Sequence, residues 1–94
     1  MKPVKVAGKN NRHSVLLYAI STCPWCKKAK RFLADHEIEY YYIDVDLASK
    51  EDYAEIIKDI RSRGGRDVYP TIIVDNTILL THPDEKKLKQ ILDL

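Results

Sequence analysis

The sequence reads as one α/β domain in the order β-α-β-α-β-β-α, a mixed four-stranded sheet flanked by helices. Three observations predict this. Val15 to Ile20 is a continuous apolar run, two amphipathic helical stretches alternate with strand-like segments, and two β-branched segments flank a tight Asp75-Asn76 pair. At 94 residues a second core would leave each half too small to bury enough apolar surface, so a single domain is expected.

Taken in order, Val15 to Ile20 has the pattern of a central strand buried on both faces. From Pro24 to His36 the spacing turns helical. Cys26, Ala29 and Leu33 share one stripe with Phe32 beside it, while Lys27, Lys28, Lys30 and Arg31 fall outside it. Pro24 suits the first helical position, where no backbone donor is needed, and this places Cys23 at the cap and Cys26 in the first turn. Glu39 to Asp46 is the next strand, with Tyr41, Ile43 and Val45 in one phase and Tyr40, Tyr42, Asp44 and Asp46 in the other. The run of tyrosines reads as packing on a pleated surface, not as a ligand cage.

Ser49 with Asp52 three residues on resembles a helix start, and Tyr53, Ile56, Ile57 and Ile60 form an apolar stripe that stops before Gly64-Gly65. Thr71 to Val74 and Thr77 to Thr81 then read as a hairpin, because Asp and Asn tolerate the left-handed backbone its turn requires. A last helix begins near Pro83 and buries Leu88, Ile91 and Leu92. The first two strands, joined through a helix, should run parallel with a right-handed crossover. Val4 and Val6 alternate with lysine ahead of a Gly8-Lys9-Asn10-Asn11 turn, which leaves an extra N-terminal strand open.

Composition narrows the function. Hydrophobic residues make up 45% and charged residues 32% of the chain, as in ordinary globular proteins, and no apolar run is long enough to span a bilayer. Residues 1–12 lack the apolar middle of a secretory signal, so a cytoplasmic protein is expected. A formal charge of +2 argues against nucleic acid as a partner. The clusters at Lys2, Lys5, Lys9, Arg12 and at Lys27, Lys28, Lys30, Arg31 read first as solvated surface, and second as a rim that steers an acidic protein partner.

The chemistry concentrates in Cys23-Pro24-Trp25-Cys26. A bridge this short removes little unfolded-state entropy, so the value of the pair lies in reactivity rather than in stapling. The motif follows a strand and opens a helix, where free N–H groups and the positive end of the helix dipole stabilise an anion. A lowered thiol pKa raises the thiolate fraction, the form that attacks disulfides. Cys23 is therefore the candidate nucleophile, and Cys26, one turn on and more shielded, the resolving thiol that attacks the sulfur of Cys23. Half of a zinc site is the competing reading. Tetrahedral zinc wants four ligands, however, and the chain has no second Cys-x-x-Cys, while His13, His36 and His82 are scattered.

Trp25 reads equally as packing across the helix start and as a flat apolar contact for a partner's disulfide segment. Tyr69-Pro70 stands at the head of a strand, where proline's missing donor demands an edge or opening position. A cis bond there would turn the Tyr69 backbone toward the thiols and offer its hydrogen bonds to an extended substrate, although cis bonds are uncommon on sequence grounds alone.

Leu17-Tyr18 leading to Cys23-Pro24-Trp25-Cys26-Lys27-Lys28-Ala29-Lys30, then Tyr41 to Asp46, then Val68-Tyr69-Pro70-Thr71, resembles the glutaredoxin family in order and spacing across nearly the whole chain. The resemblance implies a thioredoxin fold, a cis peptide before Pro70 facing the dithiol, and dithiol-disulfide exchange by a monomer with no tightly bound cofactor. Pro24, Trp25, Tyr69 and Pro70 would then contact substrate, and a disulfide-containing protein would be the acceptor. Members that bind glutathione usually carry a lysine shortly before the first cysteine and a Gly-Gly-x-Asp segment before the last helix. Ile20 stands where that lysine is expected, and Thr81-His82-Pro83-Asp84 replaces the glycines, so only Asp84 echoes the glutathione segment. In this the chain is similar to glutaredoxin-like donors that take electrons directly from a flavin- or ferredoxin-linked reductase. An iron-sulfur carrier that ligates a bridging cluster through Cys23 and an external thiol is the alternative function, since a cluster also needs a stable thiolate.

Overall fold

The computed structural model describes residues 2–94. Its elements are β1 (Val4–Val6), β2 (Val15–Ala19), α1 (Pro24–Asp35), β3 (Tyr40–Asp44), α2 (Lys50–Ser62), β4 (Thr71–Val74), β5 (Ile78–Thr81) and α3 (Glu85–Ile91). The strands form one mixed sheet in the order β1-β3-β2-β4-β5. β2 and β3 are parallel, with Tyr18 opposite Ile43, and the remaining neighbours are antiparallel. The sheet thus has five strands rather than four. The segment the sequence left open pairs with β3, Lys5 lying opposite Tyr41.

Both faces of the sheet are covered, which is why β2 is apolar in both phases. Val15, Leu17 and Ala19 join Cys26, Phe32 and Leu33 of α1 and Leu88 and Leu92 at α3 in one core. Tyr18 points the other way, with Ile43 and Ile73, onto Ile56 and Ile60 of α2. Each fully buried leucine or isoleucine contributes about 1.5–3 kcal/mol, so Leu17, Leu33, Ile56, Ile60 and Ile72, all under 2% exposed, anchor the fold.

Local signals set most boundaries. Ser49 caps α2 by accepting the Asp52 N–H at 3.1 Å, and Asp84 caps α3 through the Lys87 N–H at 2.8 Å. Gly64, past the end of α2, adopts φ of +84°, the left-handed position that glycine takes without strain. Asp75 and Asn76 both take positive φ, 53° and 58°, as a two-residue hairpin turn requires.

Two expectations are corrected, the end of one strand and the place of Tyr53. The strand after α1 stops at Asp44, and Val45–Leu47 coils into a 3-10 turn that carries Val45 into the α2-side core. Within that strand Tyr40 and Tyr42 pack on the α1-side core, as the run of tyrosines suggested, Ile43 faces α2, and Tyr41 is exposed. Tyr53 leaves the apolar stripe of α2: its ring is exposed and its hydroxyl donates to Asp67 at 2.7 Å.

At the end of the sheet where β2 begins, His13 bridges two distant segments. Its Nδ1 lies 2.8 Å from Asp75 and its Nε2 2.9 Å from Asp93, and its side chain is 17% exposed. The bond to Asp75, then that to Asp93, raises the imidazole pKa, while Asp75 is held low by His13 and the Ser14 N–H. A raised folded pKa means the stabilisation is complete below the unfolded histidine value of about 6.5 and is lost as pH rises through the folded value. His13→Gln should therefore lower the thermal midpoint most near pH 6 and least in alkaline buffer. Paired melting curves across that range test this, and a pH-independent difference contradicts it.

Candidate active site

The site forms where β2 ends. A turn closed by the Cys23 N–H on the Ile20 carbonyl at 3.1 Å brings Cys23 to the N-cap of α1, with φ of −81° and ψ of 119°. Pro24 occupies the first helical turn, so the proline that lacks a donor sits where none is required. The Cys26 N–H donates to Cys23 Sγ at 3.3 Å, making the thiol itself the helix cap. Cys26 is fully buried, and its sulfur accepts the Ile20 N–H at 3.5 Å. Both thiols are free.

These surroundings separate the two sulfurs. Partial burial pushes the Cys23 thiol up, but the Cys26 thiol and the backbone N–H groups of Cys26 and Trp25 outweigh it, so its pKa lies below the ordinary thiol value. Burial, and then the neighbouring Cys23 sulfur, push Cys26 up to about 12. One thiol is poised to ionise and the other to keep its proton.

The loop that carries Cys23 is held from outside the motif. Asp46 accepts the Ser21 N–H at 2.9 Å and the Ser21 hydroxyl at 2.5 Å, and these bonds keep its carboxyl below the usual range. Across the sheet end, Tyr69-Pro70 is cis. Pro70 is buried at the head of β4, its carbonyl accepting the His82 N–H at 2.7 Å, and the buried Thr71 hydroxyl donates to the Val68 carbonyl at 2.6 Å. Tyr69 is half-buried and packs against both cores, on one of which Cys23 also rests. Burial, and then Asp67, hold its phenol protonated.

Trp25 is 56% exposed, with its ring 5.2 Å from that of His82 and the Lys28 ammonium 5.1 Å from its centroid. Of the six residues singled out from sequence, Cys23, Pro24, Trp25 and Cys26 lie together at the start of α1. Tyr69 and Pro70 reach the same end of the sheet from β4. Ser21, Asp46, Asp67 and His82 shape the site without any local sequence signal, because their partners come from other elements. Among the described residues, no group of three His, Cys, Asp or Glu side chains is placed to hold a metal ion, and no helix is long and apolar enough to cross a membrane.

A reduced dithiol with its first sulfur capping a helix, set at the sheet end that also carries a cis-proline, defines a thiol-disulfide protein of the thioredoxin fold. The family model for glutaredoxin matches residues 15–79, and the chain belongs to the glutaredoxin family, a family of thiol-disulfide oxidoreductases. The protein named Glutaredoxin 1 of Rickettsia prowazekii is 32% identical over 69 residues, covering 73% of this chain and 70% of that one. The chain spans 60% to 70% of the length of the Rickettsia relatives it matches. The crystal structure of the glutaredoxin from Methanosarcina mazei is 28% identical with a TM-score of 0.88, covering 100% of this chain and 90% of that one. Methanoredoxin of Methanosarcina acetivorans is 29% identical with a TM-score of 0.82, over 93% of this chain and 90% of that one.

Proposed function

We propose that the protein is a dithiol electron carrier that reduces protein or small-molecule disulfides through Cys23 and Cys26. The observation that carries this reading is the opposite displacement of two thiols one helical turn apart, the capping sulfur made more acidic and the buried one less. The Cys23 thiolate attacks one sulfur of the substrate disulfide. The S–S bond breaks, the other sulfur leaves as a thiolate and takes up a proton, and a mixed disulfide remains. Cys26 then loses its proton and attacks Cys23 Sγ, releasing the second substrate thiol and leaving a Cys23–Cys26 disulfide, so two electrons pass to the substrate.

The geometry supports the order of the steps. Part of what raises Cys26 is the hydrogen bond and charge of the free Cys23 sulfur, and both vanish once Cys23 is tied up in the mixed disulfide. Cys26 thus becomes more acidic at the stage at which it must attack. In this reading Pro24 and Trp25 form one side of the substrate cleft, and the Tyr69 backbone before Pro70 holds the extended segment that carries the disulfide. The oxidised pair is reset by glutathione or by a flavin- or ferredoxin-linked reductase.

Single-turnover reduction of insulin disulfides by the pre-reduced protein tests the reading. The rate should follow one ionisation below the ordinary thiol value, rise with pH through it and level off above it, because only the thiolate attacks. A rate still climbing at the pKa of a free cysteine contradicts the proposal. A stoichiometric cluster after anaerobic iron-sulfur reconstitution would favour the cluster carrier instead.

A further inference from the structure

Charge is segregated between the two sides of this sheet. α1 and α3 cover one face and hold seven basic residues against two acidic ones, while α2 on the other face holds three against four, in a chain whose formal charge is only +2. Lys27, Lys28 and Arg31 are all exposed, and the i, i+3 and i, i+4 spacings place both lysines next to Arg31 on one strip. None of the three is in an ion pair with the described residues, in contrast to Lys30 on the same helix, whose ammonium lies 3.1 Å from Asp44. A strip of unpaired cations beginning one turn from Cys23 attracts negative charge to the reacting sulfur.

The same face has an apolar recess at its thiol end. Between α1 and α3 lies a pocket of about 100 Å³, with Ala29, Phe32, Pro70 and Leu88 among its lining, flanked by Trp25 and His82. The acidic Asp84 and Glu85 also border it, but Asp84 is engaged as the α3 cap. Trp25, at 56% exposed, is a large apolar surface left uncovered beside the nucleophile. Trp25 and Pro70 line this recess, and the oxidoreductase reading above gives both of them to the substrate as well.

We propose that this face docks an acidic polypeptide whose reactive disulfide is flanked by an apolar side chain. The apolar side chain fills the recess between Trp25 and His82, and carboxylates beyond it lie along Lys27, Lys28 and Arg31. The proposal rests on the oxidoreductase reading above and names the class of substrate that reading leaves open. The cation strip steers encounter and sets orientation, and the pocket sets the register of the disulfide against Cys23.

Three disulfide peptides test it: one with leucine beside the cysteine and an aspartate-rich flank, one with lysines for the aspartates, and one acidic but with glycine for the leucine. At low ionic strength the pre-reduced protein should reduce the first at least about tenfold faster than the second, with the gap closing as salt screens the charges. The glycine peptide should be several-fold slower than the first. Lys27→Glu combined with Arg31→Glu should reverse the charge preference, while the rate with hydroxyethyl disulfide, a small neutral substrate, reports whether the thiol chemistry survives the change. Equal rates for the acidic and basic peptides, or a preference that ignores salt, overturns the proposal. So does salt-sensitive self-association, which would give the face to a second copy of the chain.

Docking can also be read without chemistry. Trp25 is the only tryptophan, so its fluorescence in Cys23→Ser protein should respond to the acidic leucine peptide and not to the basic one. A response without turnover in the unsubstituted protein would keep the docking surface and sink the oxidoreductase reading. Turnover without a response would do the reverse.

Discussion

Cys23→Ser should abolish disulfide reduction, lowering turnover roughly a thousandfold or more to the uncatalysed background. A serine hydroxyl at a helix start keeps its proton throughout the neutral range, so the attacking anion disappears while the backbone around it is preserved. The variant carries its own control. Serine is among the preferred helix caps, and its oxygen can take the Cys26 N–H that Cys23 Sγ now accepts at 3.3 Å. The thermal midpoint should stay near that of the unsubstituted protein, or rise. Loss of activity with an intact fold assigns the chemistry to the sulfur, and an unchanged insulin-reduction rate would remove the functional account.

Cys26→Ser should have the second largest effect and a different signature. The first exchange proceeds, because the Cys23 thiolate remains, but nothing within the chain resolves the mixed disulfide. Mass spectrometry should find one substrate thiol bound per chain, released by added reductant, and multiple turnover should fall on the order of a hundredfold or more when no external thiol is supplied. Cys26 is fully buried, and its sulfur meets the Ile20 N–H, a contact that a serine oxygen can reproduce. If turnover persists at the original rate without external thiol, Cys26 is not the resolving group.

Much of this arrangement can be read from the chain because its signals are local. A run apolar in both phases marks β2 as central, Pro24 fixes the first turn of α1, Ser49 and Asp52 mark the start of α2, and Asp75-Asn76 closes the hairpin. The dithiol motif is legible for the same reason, since four consecutive residues at a strand-to-helix junction carry it. The errors fall where a tertiary contact overrides a local pattern. Tyr53 has the spacing of a buried residue, but Asp67, fourteen positions on, draws its hydroxyl outward. Val45 continues the alternation of β3 on paper, yet the chain has already turned to bring Asp46 onto Ser21. The His13 bridge to Asp75 and Asp93 spans 62 and 80 positions, and no window along the sequence contains both ends. The ring contact between Trp25 and His82 joins positions 57 apart, so no local pattern announces it.

The short N-terminal strand has a consequence beyond completing the sheet. Without β1, the open rim of the sheet would be β3, whose three consecutive tyrosines favour β-structure and whose free amides would offer a template to another molecule. With it, the rim becomes three residues long, preceded by Pro3 and carrying Lys5 at its centre beside Glu39. Proline and lysine on a brief rim are poor partners for a growing fibril. The backbone of the tyrosine-rich strand is thereby paired on both sides, and its amides no longer offer an edge to another molecule.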